Sequence, residues 1–212
     1  MRVSPPKEHS SQYLYRVKVV ERQIDMKIVG FIGSPRKEGN TAWAVNRIIE
    51  GAQEQGAKTE VFHAGSLDIN PCKGCLSCVE RDKCFINDDM QAIYHALAQA
   101  EALVLGSPVY MGQMSAQAKI FTDRLFAQIT PRFSPRFKEE NAGKKLVLVF
   151  TQGNPDPNMF KEYFDYTKRM LQMLEFDVKA APIIAGTRNG PAHQTDGLSS
   201  ILKEIGASLV SP

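Results

Sequence analysis

MKIVGFIGSPRKEGNTAWAVNRIIEGAQEQG, residues 26–56, decides the fold. It opens with a short apolar run, broken only by Lys27, that ends in glycine; this is the pattern of a strand buried on both faces. Its second half sets Ala44, Val45, Ile48, Ile49 and Ala52 at helical spacing, and Gly56 closes the run as a helix C-terminus does. Between them lies a polar loop, residues 33–41. Buried strand, polar loop and helix make the first half of a βαβ unit.

The same alternation continues downstream. Residues 58–64, 101–110, 144–154 and 176–186 read as four more strands, and 87–100, 115–129, 158–175 and 195–210 as four more helices. Five strand–helix alternations predict an α/β fold: a doubly wound parallel sheet of five strands with helices on both faces. Residues 1–25 stand outside this rhythm. They are expected to be an N-terminal extension, whether an arm, an edge strand or a disordered tail, ahead of one domain at 26–212.

Composition excludes several classes of protein. In 212 residues, 43% are hydrophobic and 23% charged, which is ordinary for a globular chain. A net charge of +3 is too small to argue for nucleic acid. No apolar run reaches the ~20 residues of a membrane helix, and the start lacks the apolar core of a signal peptide. The expectation is a cytoplasmic protein with no nucleic-acid or membrane partner.

Three loops at strand ends carry the candidate ligand site. The first, 33–41, is neither a Walker loop nor a dinucleotide fingerprint. It offers the hydroxyls of Ser34 and Thr41, the amide of Asn40, a flexible Gly39, the cation of Arg36 and the free N–H groups of a helix start, all suited to a phosphate. The plain alternative is a turn in which Asn40 or Thr41 caps its own helix. The second loop, after strand three, offers Pro108, Val109, Tyr110, Met111 and Gly112 to a planar ring. The third, after strand four, adds Thr151, Gln152, Gly153 and Asn154. Phosphate cradle and ring slot together describe a mononucleotide site.

All four cysteines fall in PCKGCLSCVERDKC, residues 71–84, within a loop spanning 71–87. Clustered thiols in a reducing compartment read as metal ligands or redox groups. An iron–sulfur cluster, a zinc site, and disulfides or free thiols all remain open on spacing alone. The four histidines show no ligand spacing. Asp88 and Asp89 read as helix caps, and Lys119, Asp123 and Arg124 as a salt-bridged helix face rather than catalytic groups.

Several of these stretches resemble a known family. S-P-R-x-x-x-N-T at 34–41, G-S-P-V-Y at 106–110 and S-A-Q-x-K-x-F-x-D-R at 115–124 are similar to the NADPH-dependent FMN reductases. P-C-x-G-C-x-x-C at 71–78 with C-x-x-x-D-D-M at 84–90 resembles their iron–sulfur flavoprotein branch. The resemblance implies a flavodoxin-like fold with strand order 2-1-3-4-5, bound FMN, a [4Fe–4S] cluster on Cys72, Cys75, Cys78 and Cys84, and a homodimer or homotetramer. The expected function is an oxidoreductase that passes electrons from a ferredoxin-type donor to a small-molecule acceptor, with no general acid or base. On this reading the cluster and flavin lie near each other along the carboxyl edge of the sheet. The rivals are an NAD(P)H-dependent FMN or quinone reductase without a functional cluster, and a zinc-stabilised binding module.

Overall fold

A computed structural model describes residues 26–81, 83–128 and 143–210. The extension at 1–25, with His9, and the basic RFSPRF stretch at 132–137 lie outside them. Five main strands form the sheet: β1 (Lys27–Ile32), β2 (Lys58–His63), β3 (Ala102–Tyr110), β5 (Lys145–Thr151) and β6 (Asp177–Ala180). They pair in parallel, in the order β2-β1-β3-β5-β6. Two short strands join them. β4 (Gln113–Met114) folds back antiparallel on β3, and β7 (Ile183–Ile184) pairs with β5.

The helices are α1 (Asn40–Glu54), α2 (Ser77–Arg81), α3 (Met90–Ala98), α4 (Ala116–Arg124), α5 (Lys161–Met173) and α6 (Leu198–Val210). Two apolar cores explain why the central strands read as unbroken hydrophobic runs. Along β1, β3 and β5 successive side chains point to opposite faces. Val29, Phe31, Leu103, Leu105, Leu146 and Leu148 meet α3, α4 and α5 on one side. Ile28, Ile32, Val104, Val147 and Val149 meet α1 and α6 on the other.

The structure refines several sequence expectations. The fifth strand is two pieces, because β6 shifts register against β5 between Leu146 and Val147 before β7 rejoins it. The ring-slot loop is partly a hairpin. Met111 and Gly112 both take positive φ, 48° and 79°, as a two-residue primed turn between β3 and β4 requires. The cysteine loop contains the five-residue α2. No helix of the described residues is long and apolar enough to cross a membrane.

Candidate functional site

The carboxyl ends of β1, β3 and β5 open into a cavity of about 330 Å³, within the usual range for small-molecule sites. Ser34, Arg36, Gly39, Asn40 and Thr41 line it from the first loop, Pro108, Val109 and Tyr110 from the second, and Thr151 and Gly153 from the third. Met111 and Gly112 form the hairpin turn and are not among its lining residues; Met111 is fully exposed. Gln152 and Asn154 also stand outside the lining. Gln152 Nε2 donates to the carbonyls of Asn154 and Asp156, and Asn154 Oδ1 accepts from Asp156 N, so both brace the loop. Thr187 and Arg188, from the loop between β7 and α6, complete the wall. Sequence reasoning missed them; the only signal was a polar, glycine-bearing stretch after the last strand.

The helix start is open rather than self-capped. Gly39 is the N-cap of α1 and offers no side chain to the first turn. Asn40 Oδ1 accepts from Ala192 N at 2.8 Å, and Thr41 Oγ1 shares a 2.6 Å hydrogen bond with Thr151 Oγ1. The capping alternative is therefore not what these side chains do. The free first-turn N–H groups and the positive end of the helix dipole suit an anion. Arg36 is held by its backbone: its N–H donates to Ser34 Oγ, and His63 Nε2 donates to its carbonyl at 2.9 Å. His63 Nδ1 accepts from Gly65 N, which fixes the tautomer with the proton on Nε2.

This cavity fits FMN. An uncapped helix start with hydroxyls and Arg36 suits the phosphate. The acceptor Gln152 Oε1 is buried without a partner, beside the lining residues Thr151 and Gly153. A ribityl hydroxyl or the ring N–H is the kind of donor such an orphan requires.

The cysteines occupy a second place. Cys72, Cys75, Cys78 and Cys84 line one small cavity with Leu76, Phe85, Ile86, Phe126 and Arg124. Among the described residues no three His, Cys, Asp or Glu side chains stand close enough together to hold a single ion. A four-iron core bonds each thiolate to a different iron, so its sulfurs stand round a core rather than on one point. Four thiols around a common cavity, which Phe85, Phe126 and Arg124 also line, fit such a core in their donor set. Burial, with the neighbouring thiols Cys84, Cys72 and Cys75, pushes the Cys78 thiol up.

Arg124 corrects the surface reading of its helix. Lys119 and Asp123 do pair on the exposed side. Arg124, however, is 1% exposed and forks onto Asp88, equally buried, at 2.7 and 3.1 Å. Its Nη1 also donates to Asn70 O, and Nε to Tyr94 Oη. Asp88 caps Met90 N as expected, and accepts from Asn70 N as well. The D-D-M motif at 88–90 and the D-R dipeptide at 123–124 are the sequence signal for this pair. Burial pushes Tyr94 up. Burial alone would raise Asp88 too, but Arg124 and the two N–H groups hold its carboxyl below the usual range.

An unfolded aspartate titrates near ~3.9. The pair's stabilisation is thus complete above about pH 4 and is lost as pH falls through the lower folded value. Urea midpoints at pH 7 and pH 3 check this. Asp88→Asn is expected to be less stable at pH 7 and to lose less on acidification than the parent protein.

α4 joins the two places. At its start, Ser115 N donates to Ser107 Oγ, and Ser115 Oγ bonds Gly33 O; Ser107 and Gly33 are each next in the chain to a residue that lines the strand-end cavity. At its end, Arg124 lines the cysteine cavity. Nine residues of helix separate these points by roughly 13 Å. The cysteine loop thus packs on the flank, against the start of α3 and the end of α4, rather than on the strand ends themselves.

Comparison with known proteins agrees with this geometry. The model of the NADPH-dependent FMN reductase family matches residues 26–156. An iron–sulfur flavoprotein of Methanocaldococcus jannaschii is 43% identical over 99 residues, 47% of this chain and 51% of the relative. One from Archaeoglobus fulgidus is 37% identical over 147 residues, 69% of this chain and 63% of the relative. The matches thus span only half to under two thirds of these relatives. An NAD(P)H:quinone oxidoreductase from Methanothermobacter marburgensis superposes with a TM-score of 0.70 at 14% identity, covering 87% of this chain and 97% of that one; it shares the fold. With its cradle, hairpin and cysteine loop in place, the chain belongs to the NADPH-dependent FMN reductase family and within it is similar to the iron–sulfur flavoproteins.

Proposed function

We propose that this chain holds FMN in the strand-end cavity and a [4Fe–4S] cluster on Cys72, Cys75, Cys78 and Cys84. It passes electrons between a ferredoxin-type protein and a small acceptor, as a cytoplasmic homo-oligomer. The observation that carries the reading is that one short helix, α4, is bonded into the flavin cradle at one end and walls the four-cysteine cavity at the other.

A bound flavin supplies a ring that exchanges electrons singly or in pairs, and a cluster exchanges them singly. The chain's own residues bind and orient. The α1 N–H groups, Ser34 and Arg36 hold the phosphate. Thr41 and Thr151 share one proton between their oxygens, leaving the other hydroxyl proton for the ligand. Tyr110, 42% exposed, stands at the cavity mouth and leaves room for an acceptor.

Oxygen-free purification followed by flavin, iron and sulfide analysis tests the proposal: FMN with neither iron nor sulfide would refute the cluster. Thr41→Val is expected to weaken FMN binding by ten- to a hundredfold, about the worth of one hydrogen bond to a charged group, in a flavin-fluorescence titration. A second reading, an NAD(P)H-dependent reductase working on FMN alone, is favoured by the family's own description. Rapid bleaching of the flavin on anaerobic mixing with NADPH would support it.

A further inference from the structure

The cysteine loop cannot set its own shape. Cys72 and Cys75 are exposed, Gly74 and Leu76 take positive φ of 62° and 58°, and α2 is too short to be stable alone. Its two ends, by contrast, are tied by side chains from α3 and α4. Two residues before Cys72, both backbone groups of Asn70 are occupied: its N–H donates to Asp88 Oδ2 at 2.9 Å, and its carbonyl accepts from Arg124 Nη1 at 2.8 Å. At the far end, Gln91 Nε2 donates to the carbonyls of Cys84 and Ile86 at 3.2 and 2.6 Å.

We infer that Asp88–Arg124 and Gln91 form a clasp of positioning residues that fixes the span between the first and last cysteine, and so sets whether four sulfurs can close on one centre. The inference rests on the metal-centre reading above. Stability alone does not explain the clasp. A buried ion pair is often no better for stability than packed apolar residues of similar volume, so its geometric use is the better reason for it. Charge alone does not explain it either, because Gln91 is neutral and holds the other end. The planar fork of Arg124 sets two nitrogens on the Asp88 carboxylate while Nη1 also serves Asn70 O and Nε serves Tyr94 Oη, a spread of contacts that a lysine ammonium of equal charge cannot copy.

The test compares the parent protein with Gln91→Leu and Arg124→Lys after anaerobic reconstitution with ferrous iron and sulfide. Flavin per chain, iron per chain, melting temperature and the rate of iron release to a chelator are measured. Both variants are expected to keep FMN and to release iron at least about tenfold faster, the usual effect of losing a group behind the metal ligands. Gln91 is half-buried, so Gln91→Leu carries the test if Arg124→Lys does not fold. An unchanged release rate in a folded Gln91→Leu, with iron bound in the parent, overturns the clasp alone. Absence of iron from the parent protein overturns the metal centre and the clasp with it.

Discussion

Arg124→Met is expected to cost about 3–5 kcal/mol of folding stability, enough to unfold a large fraction of a marginally stable domain. The substitution leaves Asp88 1% exposed with no counter-charge. It also removes the donors to Asn70 O and Tyr94 Oη. What remains is a buried carboxylate with two N–H partners, Asn70 and Met90, and no cation. Chemical denaturation at pH 7 checks the value. The double substitution Asp88→Leu with Arg124→Met is expected to recover much of the loss, since no buried charge is then stranded. A loss under 1 kcal/mol for the single variant would mean that the pair is reached by water.

Gly33→Val is expected to yield a protein with no FMN after desalting. Gly33 ends β1 where three elements converge. A Cβ there would lie 2.6 Å from Ala118 Cβ, 2.9 Å from Gly106 O and 3.1 Å from Ala118 Cα. None of these is the far end of a flexible side chain, so α4 or β3 must move. That movement breaks the bonds that register the cradle, Gly33 N to Gly106 O at 2.8 Å and Ser115 Oγ to Gly33 O. Overpacking of this kind costs about 1–3 kcal/mol, which leaves a folded chain with a spoiled site. Retention of stoichiometric FMN would show that the phosphate loop tolerates displacement of its strand.

Much of this was readable from the sequence because it lives in local pattern. The apolar runs of β1, β3 and β5, and the helical spacing of α1, depend on neighbours in the chain, and ten of the fourteen proposed flavin-site residues line the observed cavity. The other four stand outside that lining, and locality fails for contacts between distant elements. Gln152 Nε2 and Asn154 Oδ1 serve the turn after β5, which leaves Gln152 Oε1 as the acceptor for a ligand. Met111 and Gly112 turn the hairpin between β3 and β4. Arg124 and Asp88 lie 36 positions apart, and no periodicity links a helix cap to the end of another helix. Thr187 and Arg188 reach the cavity only because β7 returns beside β5.

The most direct measurement is the iron, sulfide and FMN content of the oxygen-free protein beside its Cys75→Ala variant. Two cofactor places at opposite ends of α4 require iron and sulfide with FMN in the parent, and FMN alone in the variant. A parent with flavin but no iron, or a variant that loses flavin along with the metal, would contradict two separable centres on one scaffold.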